Sequence, residues 1–267
     1  MNIKLYILII ISTFSFPYIV LAQKQDSKSP SELKVEADES IEWFEKDKYY
    51  VAKGNVILKK DGFTLNANFV RANYEIKNGE NVLEKIIARE DITFTKKEMK
   101  ATGQNLIYDF NDKTAILSGK FQTLTITSGY VESNKKIKFN DLKNKAEAEG
   151  RVKIILSNKS IIHADKINAD LNDKDKSVEY AVAKGNVIIE NKNKGNKSRA
   201  QLGIYNSSNE IIKLSGDVVL ITADSILRGS KGQTNLKTGI STLISDPSKN
   251  ERIKGTFSPK KKSKNGG

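Results

Sequence analysis

Apolar and polar side chains alternate one by one through much of the segment 33–245. For example, Ile92 and Phe94 alternate with Thr93 and Thr95. A period of two is typical of β-strands with one dry face and one wet face. Gly, Asn and Asp, which suit tight hairpin turns, separate these segments at 60–62, 77–79, 111–113 and 172–174. The pattern predicts an all-β fold, in which even the most helix-like stretch, 40–45, forms a hairpin.

A short phrase recurs along this segment: a small residue, a Gly, a polar residue and then a β-branched apolar run. It is clearest at 51–58 and nearly duplicated at 181–189. The Gly of the phrase, which we call its mark, lies at positions 54, 119, 150, 185 and 216, and Glu takes its place at position 90. The intervals between these six marks are 36, 29, 31, 35 and 31 residues. Intervals of about thirty residues indicate supersecondary units that hold at least two strands each.

Antiparallel strands that share one apolar face must bury that face against itself. The expected architecture is therefore an antiparallel β-jelly roll or folded-over sheet, extended by extra repeats or built as two tandem units. The apolar positions are rich in Ile, Val, Leu and Ala and include few large aromatics. Such an interior is compatible with a groove for aliphatic chains, and a plain packed core is the alternative.

The two ends of the chain differ in composition from the middle. After Lys4, an apolar run extends to Ala22 and is followed by polar residues, which predicts a secretory signal peptide over 1–22 that is cleaved after Ala22. An uncleaved membrane anchor is the alternative. We expect a linker over 23–32, the β-repeats over 33–245 with a possible subdivision near 120–150, and a basic flexible tail over 246–267.

The formal net charge is +13, and the 267 residues include no Cys. A basic protein can bind nucleic acid through clustered lysines. Here the lysines are scattered among acidic and Asn residues, and the one dense run is 260–264. The charge therefore predicts a solvated surface that tolerates an anionic ligand, not a nucleic-acid interface. The lack of Cys excludes a disulfide framework, a thiolate metal site and a Cys nucleophile.

Candidate catalytic and metal-binding residues are sparse. His163 is the only histidine, and its strand context favours a structural role over membership of a catalytic triad. The acidic turn at 170–175 lacks the Gly and the distal Glu of a calcium loop. The segment 195–198 lacks the earlier Gly of a phosphate-binding loop. The sequence therefore predicts a non-enzymatic protein without a metal or a cofactor.

Several phrases, taken in order, carry a family resemblance. They are KVEAD at 34–38, AKGNV at 52–56, LNA at 65–67, YD at 108–109, AILSG at 115–119, LSGDVVL at 214–220, LKTGIS at 236–241 and RIKGTF at 252–257. In this order they resemble the OstA-like domain of the LptA family of periplasmic lipopolysaccharide-transport proteins, over about residues 33–258. The middle, 120–180, is longer than a compact OstA-like domain requires.

The resemblance implies a soluble periplasmic bridge that passes lipopolysaccharide from an inner-membrane complex to an outer-membrane translocon. It also implies that lipid A chains lie in the apolar interior, that copies join end to end, and that the partners are an LptC-like inner-membrane protein and an LptD-like translocon. Open terminal strands suit such joints because they offer unpaired backbone groups. The alternatives are a membrane-anchored LptC-like partner and a structural β-repeat surface protein without a lipid ligand.

Two sets of residues form the predicted sites. The lipid-binding groove wall consists of Val56, Leu58, Leu65, Ile86, Phe94, Leu106, Tyr108, Ile116, Val152, Ile154, Ile167, Val187, Ile189, Val218 and Leu220. The partner edge strands consist of Lys34, Val35, Glu36, Ala37 and Asp38 at one end and Leu236, Lys237 and Thr238 at the other. A shift of one residue in strand parity would exchange the two faces of a strand. Trp43, Tyr49 and Tyr50 are expected to pack within the first strands, with ligand contact near the N-terminal mouth as the alternative.

Overall fold

The computed structural model describes residues 33–60, 62–126, 129–191, 195–245 and 252–257. The predicted signal peptide, the linker and most of the predicted tail lie outside these residues. The described residues form one sheet of eighteen strands, and every pairing between strands is antiparallel. The strands are β1 (Lys34–Glu36), β2 (Ser40–Phe44), β3 (Tyr49–Lys60), β4 (Phe63–Lys77), β5 (Glu80–Lys96), β6 (Met99–Asp109), β7 (Thr114–Ser118), β8 (Gln122–Ile126), β9 (Gly129–Ser133), β10 (Lys136–Asn140), β11 (Lys145–Leu156), β12 (Ser160–Leu171), β13 (Val178–Asn191), β14 (Asn196–Asn206), β15 (Ile211–Ile221), β16 (Ser225–Asn235), β17 (Ser241–Ile244) and β18 (Lys254–Phe257). The predicted all-β fold is confirmed.

Several of the long strands bend where two consecutive residues adopt left-handed backbone angles. In β3 these are Gly54 (φ 78°) and Asn55 (φ 41°), and in β13 they are Gly185 (φ 72°) and Asn186 (φ 48°). The pairing register shifts at the same points, between positions 53 and 56 and between 184 and 187. Such a bulge turns the strand, and Gly suits it because a Cβ disfavours positive φ. The recurring Gly of the sequence therefore marks a corner inside a strand.

The bends divide the sheet into two halves. Half-sheet A contains β2, β7, β10 and β17, and half-sheet B contains β1, β8, β9 and β18. The long strands cross from one half to the other: β3 pairs with β2 before its bend and with β1 after it. At the other end, β16 pairs with both β17 and β18. Two consecutive short strands, such as β7 in half-sheet A and β8 in half-sheet B, therefore take the place of one long bent strand that is interrupted at the bend.

The core lies between the two half-sheets. Val56 and Leu65 of half-sheet B and Val70 and Ala88 of half-sheet A are all less than 5% exposed and belong to one apolar cluster. Burial on one face of each half and solvation on the other explain the alternating pattern of the sequence. A continuous antiparallel sheet that folds over its own apolar face is compatible with the predicted jelly roll.

The six marks of the sequence fall into two sets of three. Positions 54, 90 and 119 lie 96, 95 and 97 residues before positions 150, 185 and 216. The pairings keep this offset: Val35 pairs with Leu58, and Val131 pairs with Ile154. We call 34–126 the first repeat and 129–221 the second repeat. Each larger repeat of about 96 residues contains three of the units of about thirty residues, and two tandem units were one of the architectures expected from the sequence.

Part of the predicted flexible tail is a strand. Lys254–Phe257 form β18, which pairs with Ser225–Arg228 of β16. The expectation of a flexible tail from position 246 is therefore wrong for these four residues, because backbone pairing with β16 fixes them. The family resemblance had already included the phrase RIKGTF at 252–257, within a segment that composition alone assigned to the tail.

Candidate functional site

Two rows of directly paired, inward-facing residues cross the whole sheet. Row A, in half-sheet A, consists of Ile41, Ala52, Val70, Ala88, Leu106, Leu117, Ile137, Ala148, Ile167, Ala183, Gly203, Leu214, Gly232 and Leu243. Row B, in half-sheet B, consists of Val35, Leu58, Leu65, Phe94, Ala101, Leu124, Val131, Ile154, Ile162, Ile189, Ser198, Leu220, Leu227 and Gly255. Among these residues only Ser198 has a polar side chain. The interior is thus an almost unbroken apolar layer.

Fourteen of the fifteen predicted groove residues belong to the apolar cluster of the interior or pack against it. The exception is Ile116. It pairs with Ile107, which is 40% exposed, whereas its neighbour Leu117 pairs with Leu106 in the core. Ile116 therefore faces outward, and its assignment to the groove wall is wrong. Ile116 and Leu117 are both apolar, so the sequence alone could not choose between them.

Half-buried apolar side chains lie towards the hairpin ends, on the side away from the bends. Phe63 and Phe94 contact one another in half-sheet B, with ring centroids 5.5 Å apart. Tyr108 and Phe110 do so in half-sheet A, edge to face at 4.7 Å. Burial raises the pKa of the Tyr108 hydroxyl, and nearby carboxylates add a smaller increase. Burial is also the main reason why the pKa of Tyr205 in the second repeat is raised. This margin, which we call the mouth, is apolar and partly open to water.

Both ends of the sheet expose inward-facing apolar side chains. At the N-terminal end, Ile41 and Trp43 are 55% and 56% exposed, although Trp43 Nε1 donates a hydrogen bond to the Tyr74 hydroxyl at 2.8 Å and the indole stacks on Tyr50. At the C-terminal end, Phe257 is 69% exposed and pairs with Ser225, on the same face as Leu227 of the interior. A core residue is normally covered on every side. These ends therefore resemble cut surfaces of the core.

The predicted partner edges agree only partly with the strands. Lys34–Glu36 form β1, which within the described part of the chain pairs with β3 alone. Ala37 and Asp38 lie in the corner that leads to β2, where the Asp38 amide donates to the Gly54 carbonyl at 2.8 Å. The assignment of 236–238 to an edge strand is wrong: they form a turn, because the side chain of Asn235 accepts the Thr238 amide at 2.8 Å. The edge strands at that end are β17 and β18.

Tyr49 and Tyr50 lie on opposite faces of β3. Tyr50 faces the interior beside Trp43 and Tyr74, with ring centroids 6.0 and 5.2 Å away. Tyr49 faces outward and carries the Arg71 guanidinium 3.9 Å above its ring. The packing predicted for these aromatics is present, and Tyr50 and Trp43 also line the open N-terminal end.

A polar cluster that the sequence analysis missed joins the two half-sheets near the C-terminal end. Ser198 of half-sheet B lies 3.0 Å from the Thr234 hydroxyl and 3.4 Å from the Ser241 hydroxyl, both of half-sheet A. Asn196 donates to the Gly239 carbonyl at 3.2 Å. Ser198 and Thr234 are 3% and 5% exposed. We call these five residues the latch, because they link the two half-sheets beside a cavity of about 200 Å³.

Gln122 is another buried polar residue of the interior. It is completely buried at the start of β8, and neither amide atom has a hydrogen-bond partner among the residues that the structure describes. Its position in the second repeat is taken by Val218, which is equally buried. A buried amide without partners costs stability. Gln122 therefore introduces a destabilising amide into a largely apolar interior.

In the acidic turn at 170–175, polar and charged groups find their partners within the protein itself. The side-chain oxygen of Asn172 accepts the Lys174 amide at 2.9 Å, and the Lys176 ammonium lies 3.0 Å from Asp141. This contact with Asp141 raises the pKa of Lys176. In the described residues no three His, Cys, Asp or Glu side chains come together as metal ligands. None of their backbone forms a helix of the length and apolarity that a bilayer crossing needs.

The fold and the interior define a class of protein: an antiparallel sheet folded around a long apolar layer with an open margin and open ends. A family model described as LptA/(LptD N-terminal domain) lipopolysaccharide transport protein matches the chain twice in succession, over 34–129 and 130–240. The chain belongs to this family. It is a family of transport proteins, not of enzymes, as the sequence predicted.

The comparison with solved structures also finds an LptA relative. The chain is similar to LptH from Pseudomonas aeruginosa, described as the LptA-homologous periplasmic component of the conserved lipopolysaccharide transport device. The identity is 12%, the match covers 85% of this chain and 96% of that chain, and the TM-score is 0.22. No curated protein matches the sequence.

Proposed function

We propose that this protein is a periplasmic bridge that binds lipopolysaccharide and carries it from an inner-membrane complex to an outer-membrane translocon. The observation that best supports the proposal is the pair of inner rows, which extend without interruption from β1 and β2 to β17 and β18. Export would rest on the predicted signal peptide, 1–22.

The interior offers acyl chains an environment like the one they leave. Exposing a methylene group to water costs about 0.8 kcal/mol, so a lipid with several long acyl chains cannot cross an aqueous space unaided. Between the inner rows the chains would remain in apolar surroundings. The mouth would leave the sugar and phosphate portion outside, where scattered lysines tolerate negative charge.

The two ends would serve as docking edges for an LptC-like protein, an LptD-like translocon and further copies of this chain. Among the described residues, β1 and β2 pair with β3 alone, and β17 and β18 pair with β16 alone. Their free backbone groups can pair with a strand of a partner. Pairing there would also cover Trp43 and Phe257, which supports a joint that continues the apolar layer.

Site-specific photocrosslinking tests lipid binding. A crosslinking amino acid at Phe94 or Val187, both on the inner face, is expected to capture purified lipopolysaccharide. Matched variants at Thr95 and Asn186, next to them on the outer face or at a bend, should capture little. Capture from the outer positions alone, or from none, would contradict the proposal.

Association tests the docking edges. Phe257→Asp and Trp43→Glu place a charge on each open end and are expected to abolish end-to-end complexes, measured by light scattering of the full mature chain. Ile107→Glu, on the outer face and 40% exposed, is the control and should leave association unchanged. If the end variants associate as the wild type does, the ends are not docking edges.

A further inference from the structure

We infer that one chain holds two lipopolysaccharide molecules at once, one in each repeat. This inference rests on the proposed function and adds a second binding site to it. It starts from the internal repeat, which the family model reports independently by matching 34–129 and 130–240 separately.

The walls of the two repeats correspond residue by residue. In row B, the first repeat contributes Val, Leu, Leu, Phe, Ala and Leu, and the second contributes Val, Ile, Ile, Ile, Ser and Leu in the same places. In row A, the two sets are Ile, Ala, Val, Ala, Leu, Leu and Ile, Ala, Ile, Ala, Gly, Leu. Only Ala to Ser and Leu to Gly change polarity or bulk strongly. Each repeat therefore has its own complete apolar wall.

The mouth repeats as well. Tyr108 and Tyr205 stand 97 residues apart, both half-buried, and each follows an outward Ile, at 107 and 204. Burial raises the pKa of both hydroxyls. The two repeats thus present the same half-buried aromatic residue at corresponding positions of the margin where a lipid would enter.

The joint between the repeats keeps the two walls in line. β7 pairs with β10 and β8 pairs with β9, so both half-sheets continue across the boundary. Leu117 pairs with Ile137, and Leu124 pairs with Val131. With neighbouring strands about 4.8 Å apart, six bent strands give each repeat a wall of about 29 Å. The chain therefore places two family-sized walls end to end without a partner.

Each repeat also differs in its detail, which allows the two sites to be told apart. Ser198 of the latch replaces Ala101 of the first repeat, and Ile189 replaces Phe94. The first site is lined by more aromatic carbon, and the second is lined by more hydroxyl groups. Both remain sites for an acylated, anionic glycolipid.

Matched crosslinking at the two tyrosines tests the inference. In the full mature chain, a benzophenone amino acid at Tyr108, at Tyr205 or at both is incubated with purified rough-type lipopolysaccharide and irradiated, and the intact mass is measured. Each single variant should gain the mass of one lipid, and the double variant should gain the mass of two. Crosslinkers at Ile107 and Ile204 are the matched outward controls.

The outcomes separate this inference from the proposed function. Adducts from both single variants, with never more than one lipid on the double variant, would mean that one lipid spans both repeats and would overturn the second site. Adducts at only one tyrosine would overturn it too, while leaving lipid transport intact. No adduct at either position, with unlabelled chain also lipid-free by native mass spectrometry, would overturn both.

Discussion

The buried amide of Gln122 gives a sharp test of the packing. Its side chain is 0% exposed, and both amide atoms lack a partner within the described ranges of the chain. An unpaired buried polar group costs about 1–3 kcal/mol. Methionine has the same unbranched shape and no polar amide, and volume-conserving changes disturb packing little. We therefore expect Gln122→Met to raise the free energy of unfolding by about 1–3 kcal/mol.

The assay is urea denaturation of the lipid-free chain, followed by circular dichroism, together with thermal melting. The midpoint should rise at an unchanged m-value, and Tm should rise by about 2–4 °C for each kcal/mol in a chain of this size. Gln104→Met is the matched control. Gln104 is exposed, and its side-chain carbonyl oxygen accepts a hydrogen bond from the Lys120 amide at 2.8 Å. The free energy of unfolding of this variant should therefore fall by about 0.5–1.5 kcal/mol. If Gln122→Met destabilises the protein at constant m-value, the amide has a partner in solution and the reasoning is wrong.

Three further predictions concern the bends, the surface charges and the latch. Gly185→Ala should lower the free energy of unfolding by about 1–3 kcal/mol, because φ is +72° at this position and a Cβ would overlap the Asp165 carboxylate. Glu90→Gly should raise Tm, because the glutamate has a φ of 63°, which glycine adopts more easily. If thermal melts gave the reverse order of the two variants, the role assigned to the bends would be wrong. A hydrogen bond from Lys136, and to a smaller extent one from Lys166, lowers the pKa of Glu147 in the folded protein. The ionised Glu147 side chain therefore stabilises the fold at neutral pH, and this stabilisation is lost as the pH falls below the ordinary range of glutamate. The Tm difference between wild type and Glu147→Gln, worth less than about 1 kcal/mol, should therefore shrink between pH 5 and pH 3, and a constant difference would refute this. A double-mutant cycle of Ser198→Ala and Thr234→Val should give a coupling of about 0.5–3 kcal/mol, and additive losses would mean that the latch hydroxyls do not interact.

The strands and their turns could be predicted from local patterns. Alternation such as that of 92–95 requires only that one face be buried, and turns such as 77–79 require only residues that tolerate left-handed angles, as Asn78 and Gly79 do. The ordered Gly-centred phrases were also local, and they were enough to predict the family. The face of the strand, however, was predicted wrongly at Ile116, because Ile116 and Leu117 are both apolar and either could have faced the interior.

The sequence by itself determined the all-β fold, because a period of two and the turn residues depend on interactions between near neighbours. Its ordered phrases, through their resemblance to a known family, also indicated the lipopolysaccharide-transport family. Only the tertiary structure decided that the Gly marks are corners inside strands, that Lys254–Phe257 complete an edge, and that Ser198 meets Thr234 across the core. These features depend on pairing between distant strands and on two half-sheets closing over one another. Residues 36 positions apart leave no periodic signal for such a contact.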